Sequence, residues 1–411
     1  MPDRTPPNRT GVSRRRLLTG GAAALGAAGV GAAAGSFATA ATVSATADSS
    51  GFGSDTVAFH GDHQAGVETT PQAHAVFVAL DLLPAATRDD VMSIMRLWTA
   101  DASRLTAGQP ALADTEPELA HSPSRLTVTV GYGPMLFDRV GLTHRRPSSV
   151  KALPPFVIDR LDPRWSGGDL LLHIGCDDPT TLAHARRVLL QNVRSLTRIR
   201  WIQHGFRTAR GARPDGTTMR NLMGQVDGTV NPSPGPDLDG LVWVDRGDQP
   251  WFAGGTTMVL RRIRIELDTW DELDPRGREL SLGRRQDTGA PLTGTAEHDD
   301  PDFTASEAGI PVIPENAHIA RAHHRTPRER FLRRAYNYDD PPPTGATSDA
   351  GLIFTAYQQD IDSQFVPVQQ RLAEADALNE WITPIGSAVF AIPPGVGEGG
   401  YLGQSLLDHG R

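Results

Sequence analysis

The feature that most restricts the fold of this chain is an order of strands and helices that it writes twice. In the first pass residues 73–82 read as a strand, and 88–98 follow with Val91, Ile94, Met95 and Trp98 spaced for one face of a helix. Residues 126–130 and 171–176 read as further strands, Pro179-Thr-Thr opens a helix running to 196, and 198–203 alternate again. The second pass sets a strand over 257–267, a helix over 274–284, a strand over 351–357, a helix over 371–382 and a closing strand over 388–392. Each pass is a sheet with helices packed on it, so the class is α+β. The passes share order but little sequence, which fits two similar domains and not a solenoid. Between them, 204–251 is rich in Gly, Pro and Asp, and a long polar connection inside a compact protein often carries function.

The N-terminus is of another kind. Ser13-Arg14-Arg15-Arg16-Leu17-Leu18 precedes an Ala/Gly-rich stretch over 20–41, with small residues at 38–45 for cleavage. This looks like a twin-arginine export signal. A retained membrane anchor is the alternative, although Gly and Ala give less insertion drive than Leu or Ile. The division is a signal over 1–45, a flexible linker over 46–56, an N-terminal domain over 57–235 that includes the loop at 221–229, and a C-terminal domain over 236–411. Export would place the mature protein in the extracellular space, the cell envelope or the periplasm, and the twin-arginine machinery would be a partner. That route carries folded proteins, a first pointer to a prosthetic group inserted beforehand.

Composition removes several classes. Taking five Arg and one Asp with residues 1–45 from 40 basic and 48 acidic residues leaves 35 against 47, a net charge of about −12 that argues against nucleic acid. A single cysteine, Cys176, excludes an intrachain disulfide, a cysteine-rich zinc site and covalent CxxCH haem attachment, and it reads as a buried small hydrophobe at a strand end. Lys151 is the only lysine, with nothing beside it to support Schiff-base chemistry. No GxSxG elbow, P-loop or GxGxxG lies in the required context, and the glycines of 395–400 read as a loop.

Three places carry chemistry. Asn221-Leu-Met-Gly224-Gln-Val-Asp227-Gly228-Thr229 frames an acid between glycines, whose backbone freedom can aim the carboxylate inward. An Asp-Gly turn capped by its own side chain is the alternative, and Asn221, Thr229 and Asn231 are ordinary turn residues too. His318 can ligate a haem iron and leave its other face open, but His323 and His324 are rivals, and a three-histidine metal site is a further competitor. Arg333 and Arg334 open a strand, so their side chains point to opposite faces: one can enter a pocket while the other meets a haem propionate or a surface carboxylate. A solvated charge pair is the plainer account. Leu352 and Phe354 share one strand face, as a dry pocket wall or as ordinary core.

Taken in order, these blocks resemble the dye-decolorising peroxidases, in particular the exported group that includes the deferrochelatase/peroxidase EfeB. The likeness covers about 57–406: Phe59-His-Gly-Asp-His63-Gln64-Ala-Gly66, the GxxDG pattern of 224–228, Ala317-His-Ile319, Leu332-Arg-Arg-Ala-Tyr-Asn-Tyr338, Gly351-Leu-Ile-Phe354, Gln364-Phe-Val-Pro-Val-Gln369 and Asp376-Ala-Leu-Asn-Glu380. The chain departs where relatives often carry an aromatic at Gln225, Arg-Leu-Ala at Ala320-Arg321-Ala322 and Gly at Ala335.

The resemblance implies two ferredoxin-like domains, each an antiparallel sheet with packed helices, joined as a barrel-like pair around one non-covalent haem b. It implies His318 as the proximal iron ligand, Asp227 and Arg333 as distal catalytic residues, and Gly228, Thr229, Leu352, Phe354, Arg333 and Arg334 as cofactor contacts. The implied reaction reduces hydrogen peroxide at the expense of dyes, phenolics or other one-electron donors, with Asp227 and Arg333 assisting O–O cleavage. A homo-oligomer is compatible with it. Haem binding or iron release as in deferrochelatases, and a chlorite-dismutase-like enzyme, are the alternatives. With an aspartate as the base, reference pKa about 3.9 against about 6.5 for histidine, activity should lean toward acid. Trp251, Trp270, Tyr336, Tyr338, Trp381 and Tyr401 are unranked candidates for surface electron transfer to bulky dyes.

Overall fold

The computed structural model describes residues 51–408. The signal over 1–45 and the linker up to residue 50 lie outside the described residues, among which no helix is long and apolar enough to cross a membrane.

The first half runs β1 (His74–Leu82), α1 (Arg88–Thr106), β2 (Thr127–Tyr132), β3 (Leu170–Cys176), α2 (Pro179–Gln191) and β4 (Thr197–Phe206). Thr87 starts α1 with a reciprocal capping box to Asp90, and Asp178 caps α2 ahead of Pro179, which sits in the first turn where its missing N–H costs nothing. Trp98 of α1 is fully buried and donates its indole N–H to the Leu189 carbonyl of α2, tying the two helices. The strands stand in the order β2-β3-β1-β4, all antiparallel.

The second half repeats this with β5 (Thr256–Ile265), α3 (Pro275–Leu282), α4 (His318–Ala322), β6 (Leu332–Arg333), β7 (Tyr336–Asp340), β8 (Asp349–Gln358), α5 (Phe365–Ala375) and β9 (Ile382–Ile392). Its order is β7-β8-β5-β9, the same ferredoxin-like arrangement. The two sheets close on each other through Phe206–Asn337 and Ala391–Tyr132, giving a ring of eight strands. Phe77, Trp201, Tyr336, Tyr338, Tyr357 and Phe390 fill its interior. With helices outside and aromatics inside, β1 is buried on both faces and reads as a near-continuous apolar run.

Some bounds differ from the sequence reading. The strand expected over 257–267 ends at Ile265, where a short helix begins at Leu267. The helix expected over 371–382 is α5, which both begins and ends earlier: Pro367 is tolerated in its first turn, and Asp376 leaves helical geometry at φ −70°, ψ 128° to cap the next turn. Residues 382–387 instead lengthen β9 at its start.

Register sets which side chains meet. β6 and β7 keep one register along β8, pairing Arg333 with Ala356 and Tyr336 with Ile353. Directly opposed residues share a face, so Arg333, Leu352, Phe354 and Ala356 lie on one side of this sheet, and Arg334, Tyr336, Ile353 and Tyr357 on the other.

Candidate active site

The outer face of the second sheet, the loop 219–231, and α4 with α5 enclose a cavity of about 400 Å³. It is lined by Asp227, Gly228, Thr229, His318, Arg333, Leu352 and Phe354, seven of the eight positions that the family resemblance implies as iron ligand, catalytic residues or cofactor contacts.

The loop is built to present Asp227. The Asn221 side-chain oxygen accepts the N–H groups of Met223 and Gln225, and Gly224 and Gly228 take φ of +81° and +123°, the left-handed region that glycine enters without strain. Although the loop follows the first half in sequence, it is held by the second: Arg220 donates to the carbonyls of Gln286 and Asp287, and Trp270 donates to that of Met223. Arg333 donates through Nη2 to Asp227 Oδ1, and Asn221 donates to Oδ2 at 3.2 Å. Asn231 fixes Arg333 from behind, accepting its backbone N–H and donating to its carbonyl, both at 2.9 Å. The Arg333 guanidinium lies over the Phe354 ring. Burial raises the pKa of Asp227, but the charge of Arg333 and the Asn221 hydrogen bond outweigh it, so the carboxyl is held below its usual range and is ionised.

His318 opens the short α4, with Nδ1 2.6 Å from Asp376 Oδ2. Asp376 is buried and also accepts the Leu378 N–H, which fixes its carboxylate. Burial lowers the His318 pKa, yet the charge and hydrogen bond of Asp376 overcome it and hold the imidazole above its ordinary value. With Nδ1 engaged, Nε2 is the nitrogen left for a ligand. A left-handed Gly283 (φ +79°) lets the end of α3 approach α4, since a Cβ there would stand 2.3 Å from Ile319. His323 and His324 line the same cavity and stack on each other, but among the described residues neither is hydrogen-bonded to a carboxylate as His318 is to Asp376. Among the described residues they form no three-ligand cluster.

One position is corrected. Arg334 does not line the cavity: it points into the barrel, donating to the Thr69 carbonyl and to Gln72 Oε1, and is out of place for a propionate. Sequence parity gave opposite faces for the two arginines but not where the second one went. Arg284 lines the cavity instead, holding two backbone carbonyls through Nη1 without a carboxylate in ion-pair range among the described residues. Burial lowers its pKa, and the charge of Glu297 in the same cavity offsets this only in part. The surface electron-transfer set also changes, because Trp251, Trp270, Tyr336, Tyr338 and Tyr401 are buried and only Trp381 of the six is partly exposed.

The donor set fits a haem. A free imidazole nitrogen backed by a carboxylate suits an iron, the walls from Ile263, Leu352, Phe354 and Leu378 suit a porphyrin face, and Arg284 suits a carboxylate. Arg333 Nε is buried with no partner among the described residues, a polar group that a bound ligand can satisfy.

Comparison with known proteins agrees on both halves. Residues 64–207 match the family "Dyp-type peroxidase, N-terminal" and 218–397 match "Dyp-type peroxidase, C-terminal", the latter including the Asp227 loop. The chain is 39% identical to a dye-decolorizing peroxidase of Thermobifida fusca, over 97% of this chain and 98% of that one. It is 35% identical to a deferrochelatase of Escherichia coli K12, over 85% and 86%. The crystal structure of a DyP-type peroxidase from Cellulomonas bogoriensis superposes with a TM-score of 0.85 at 55% identity, covering 87% of this chain and 99% of the other. The chain belongs to the DyP-type peroxidase family, and it is a haem peroxidase of that type.

Proposed function

We propose that His318 would hold the iron of a non-covalent haem b through Nε2, that Arg284 would meet a propionate, and that Asp227 and Arg333 would act on peroxide in the same cavity. The observation that carries this is the Asp227–Arg333 pair, an ionised acid and a guanidinium held side by side in the cavity that His318 enters. When bound, the haem supplies an iron to receive peroxide and an electron sink that external donors refill one electron at a time.

Asp227 is the base. Its ionised carboxylate takes the proton of the inner peroxide oxygen and returns it to the outer one, so that the outer oxygen leaves as water. Arg333 stabilises the negative charge that grows on the departing oxygen, in a buried site where such an interaction is little screened. Leu352 and Phe354 keep bulk water from that face. Asp376 keeps the His318 ring turned and its Nδ1 proton in place.

The donors that fit are small aromatics or dyes, in line with the relatives named as dye-decolorizing. The adjacent arginines at 14–16 ahead of the Ala/Gly-rich stretch over 20–41 support export by the twin-arginine route. The matches on both halves leave the chlorite-dismutase-like alternative without support. Iron release remains the second reading because of the deferrochelatase similarity: it requires ferrous or ferric iron to leave an intact porphyrin, which a chelator assay on the haem-loaded protein detects. Steady-state oxidation of a phenolic donor with peroxide tests the first reading. No donor oxidation by haem-loaded protein refutes it.

A further inference from the structure

Inside the barrel, on the far side of the sheet from the cavity, a phenol meets an imidazole. Tyr357 of β8 and His173 of β3 are both fully buried, and Tyr357 Oη lies 3.3 Å from His173 Nδ1, joining the two halves of the molecule across the interior. Tyr357 is one strand position from Ala356 and pairs with Leu332, the neighbour of Arg333, so a single sheet separates it from the cavity.

Nothing in the peroxide chemistry uses this pair, and an apolar pair would fill the core without burying a hydroxyl and a ring nitrogen. The chain has five tyrosines. Tyr336 and Tyr338 have hydroxyls without a partner among the described residues, Tyr132 donates to the Leu402 carbonyl and Tyr401 to the Asp408 carboxylate. Among the described residues, Tyr357 is the one tyrosine whose hydroxyl is hydrogen-bonded to an imidazole. Burial, reinforced by the charge of Arg334, pushes the His173 pKa well below its usual value, so the ring is neutral. With its proton on Nε2, which is otherwise unpartnered, Nδ1 turns a lone pair to the phenol.

We propose that Tyr357 and His173 form an internal redox pair that takes up oxidising equivalents from the peroxide-treated site when no external donor is at hand. This rests on the peroxidase reading above, which supplies the oxidant. In the step, Tyr357 gives one electron to the oxidised site and its O–H bond breaks. The proton passes to His173 Nδ1, forming an N–H bond and leaving a neutral phenoxyl beside an imidazolium. One electron from an external donor, with the same proton returning from His173, restores the phenol. The Arg334 charge disfavours the imidazolium, which makes the store shallow and easily discharged. Phe77, stacked on His173 at 4.4 Å, and Tyr336 keep water from both rings.

The test is freeze-quench electron paramagnetic resonance on the haem-loaded protein mixed with one equivalent of hydrogen peroxide and no donor. The expected result is a tyrosyl signal that narrows when the protein carries ring-deuterated tyrosine and disappears when a phenolic donor is added. Tyr357→Phe should remove it, with haem content unchanged, and Tyr336→Phe should keep it. His173→Gln, which retains a polar neighbour but no base, should slow its appearance by about 100-fold or more, the lower end of what a positioned base contributes. A full signal in Tyr357→Phe, its loss in Tyr336→Phe, or an unchanged rate in His173→Gln overturns the proposal. A Soret band that responds to peroxide without any tyrosyl signal overturns it alone, whereas a Soret band indifferent to peroxide overturns the peroxidase reading as well.

Discussion

Replacing Asp376 by Asn isolates the contact behind the iron ligand. Asp376 is buried, accepts the Leu378 N–H at 3.0 Å through one oxygen and stands 2.6 Å from His318 Nδ1 through the other. Asn keeps the shape and one acceptor but removes the charge. A hydrogen bond to a charged group contributes about 1.5–3 kcal/mol and a neutral one about 0.5–1.5, so the loss is near 1–1.5 kcal/mol. At about 1.4 kcal/mol per decade that is close to tenfold in haem affinity, the lower end of the 10–100-fold typical of such partners. Haem transfer to an excess of a scavenging globin should therefore run about ten times faster. The ferric/ferrous potential should rise, because a less anionic histidine favours the reduced iron. The haem-free protein supplies a second reading. The raised His318 pKa gives stability that is fully present below the unfolded value of about 6.5 and is lost as pH rises through the folded pKa, and the Asp376→Asn variant should flatten this slope. Unchanged transfer rate and potential would refute the reasoning and leave Asp376 a mere cap.

Other outcomes follow from the same geometry. Arg333→Leu should slow the peroxide reaction by roughly 100–1,000-fold, as loss of a charge-stabilising donor does. It should also move the acid limb of the rate upward, because Asp227 stays buried without its cation. An identical pH profile would contradict this, and comparison with Asp227→Asn by stopped flow ranks the two residues. In the unaltered protein the ionised Asp227 is the working form and its folded pKa is depressed, so activity and its share of stability persist through about 3.9 and fall only at lower pH. An acid-limb midpoint near or above about 7 would exclude Asp227 as the simple base. Gly283→Ala, which sets a Cβ against Ile319 at a positive φ, should cost about 1–3 kcal/mol in thermal unfolding and reduce haem loading; an unchanged Tm would show that α4 tolerates displacement.

β1 and β3 were legible as near-continuous apolar runs because they are buried on both faces, β4 by its alternation, and the Asp227 turn because its glycines occupy the left-handed region that the turn needs. The choice of His318 over His323 and His324 was not legible in the residues themselves, since the Asp376 contact that separates them spans 58 positions. Asp376 lay in a recognised block yet had no role, because nothing local shows that α5 stops where its cap must reach α4. Arg334 was misplaced for a related reason: alternation tells two faces apart without telling which one has the cavity. Arg284 carried no signal in a chain with this many arginines. Of the aromatic residues taken for surface relays, Tyr336 and Tyr338 help fill the centre of the barrel, while Trp251, Trp270 and Tyr401 are buried in apolar clusters outside it.

The most direct measurement is an ultraviolet-visible spectrum of the protein expressed with ample haem, before and after one equivalent of hydrogen peroxide, beside His318→Ala. The account predicts a Soret band that shifts with peroxide and returns when a phenolic donor is added, and a variant that loses the band or its ferric character. A haem-free protein, or a band in His318→Ala that responds to peroxide as the original does, would contradict it.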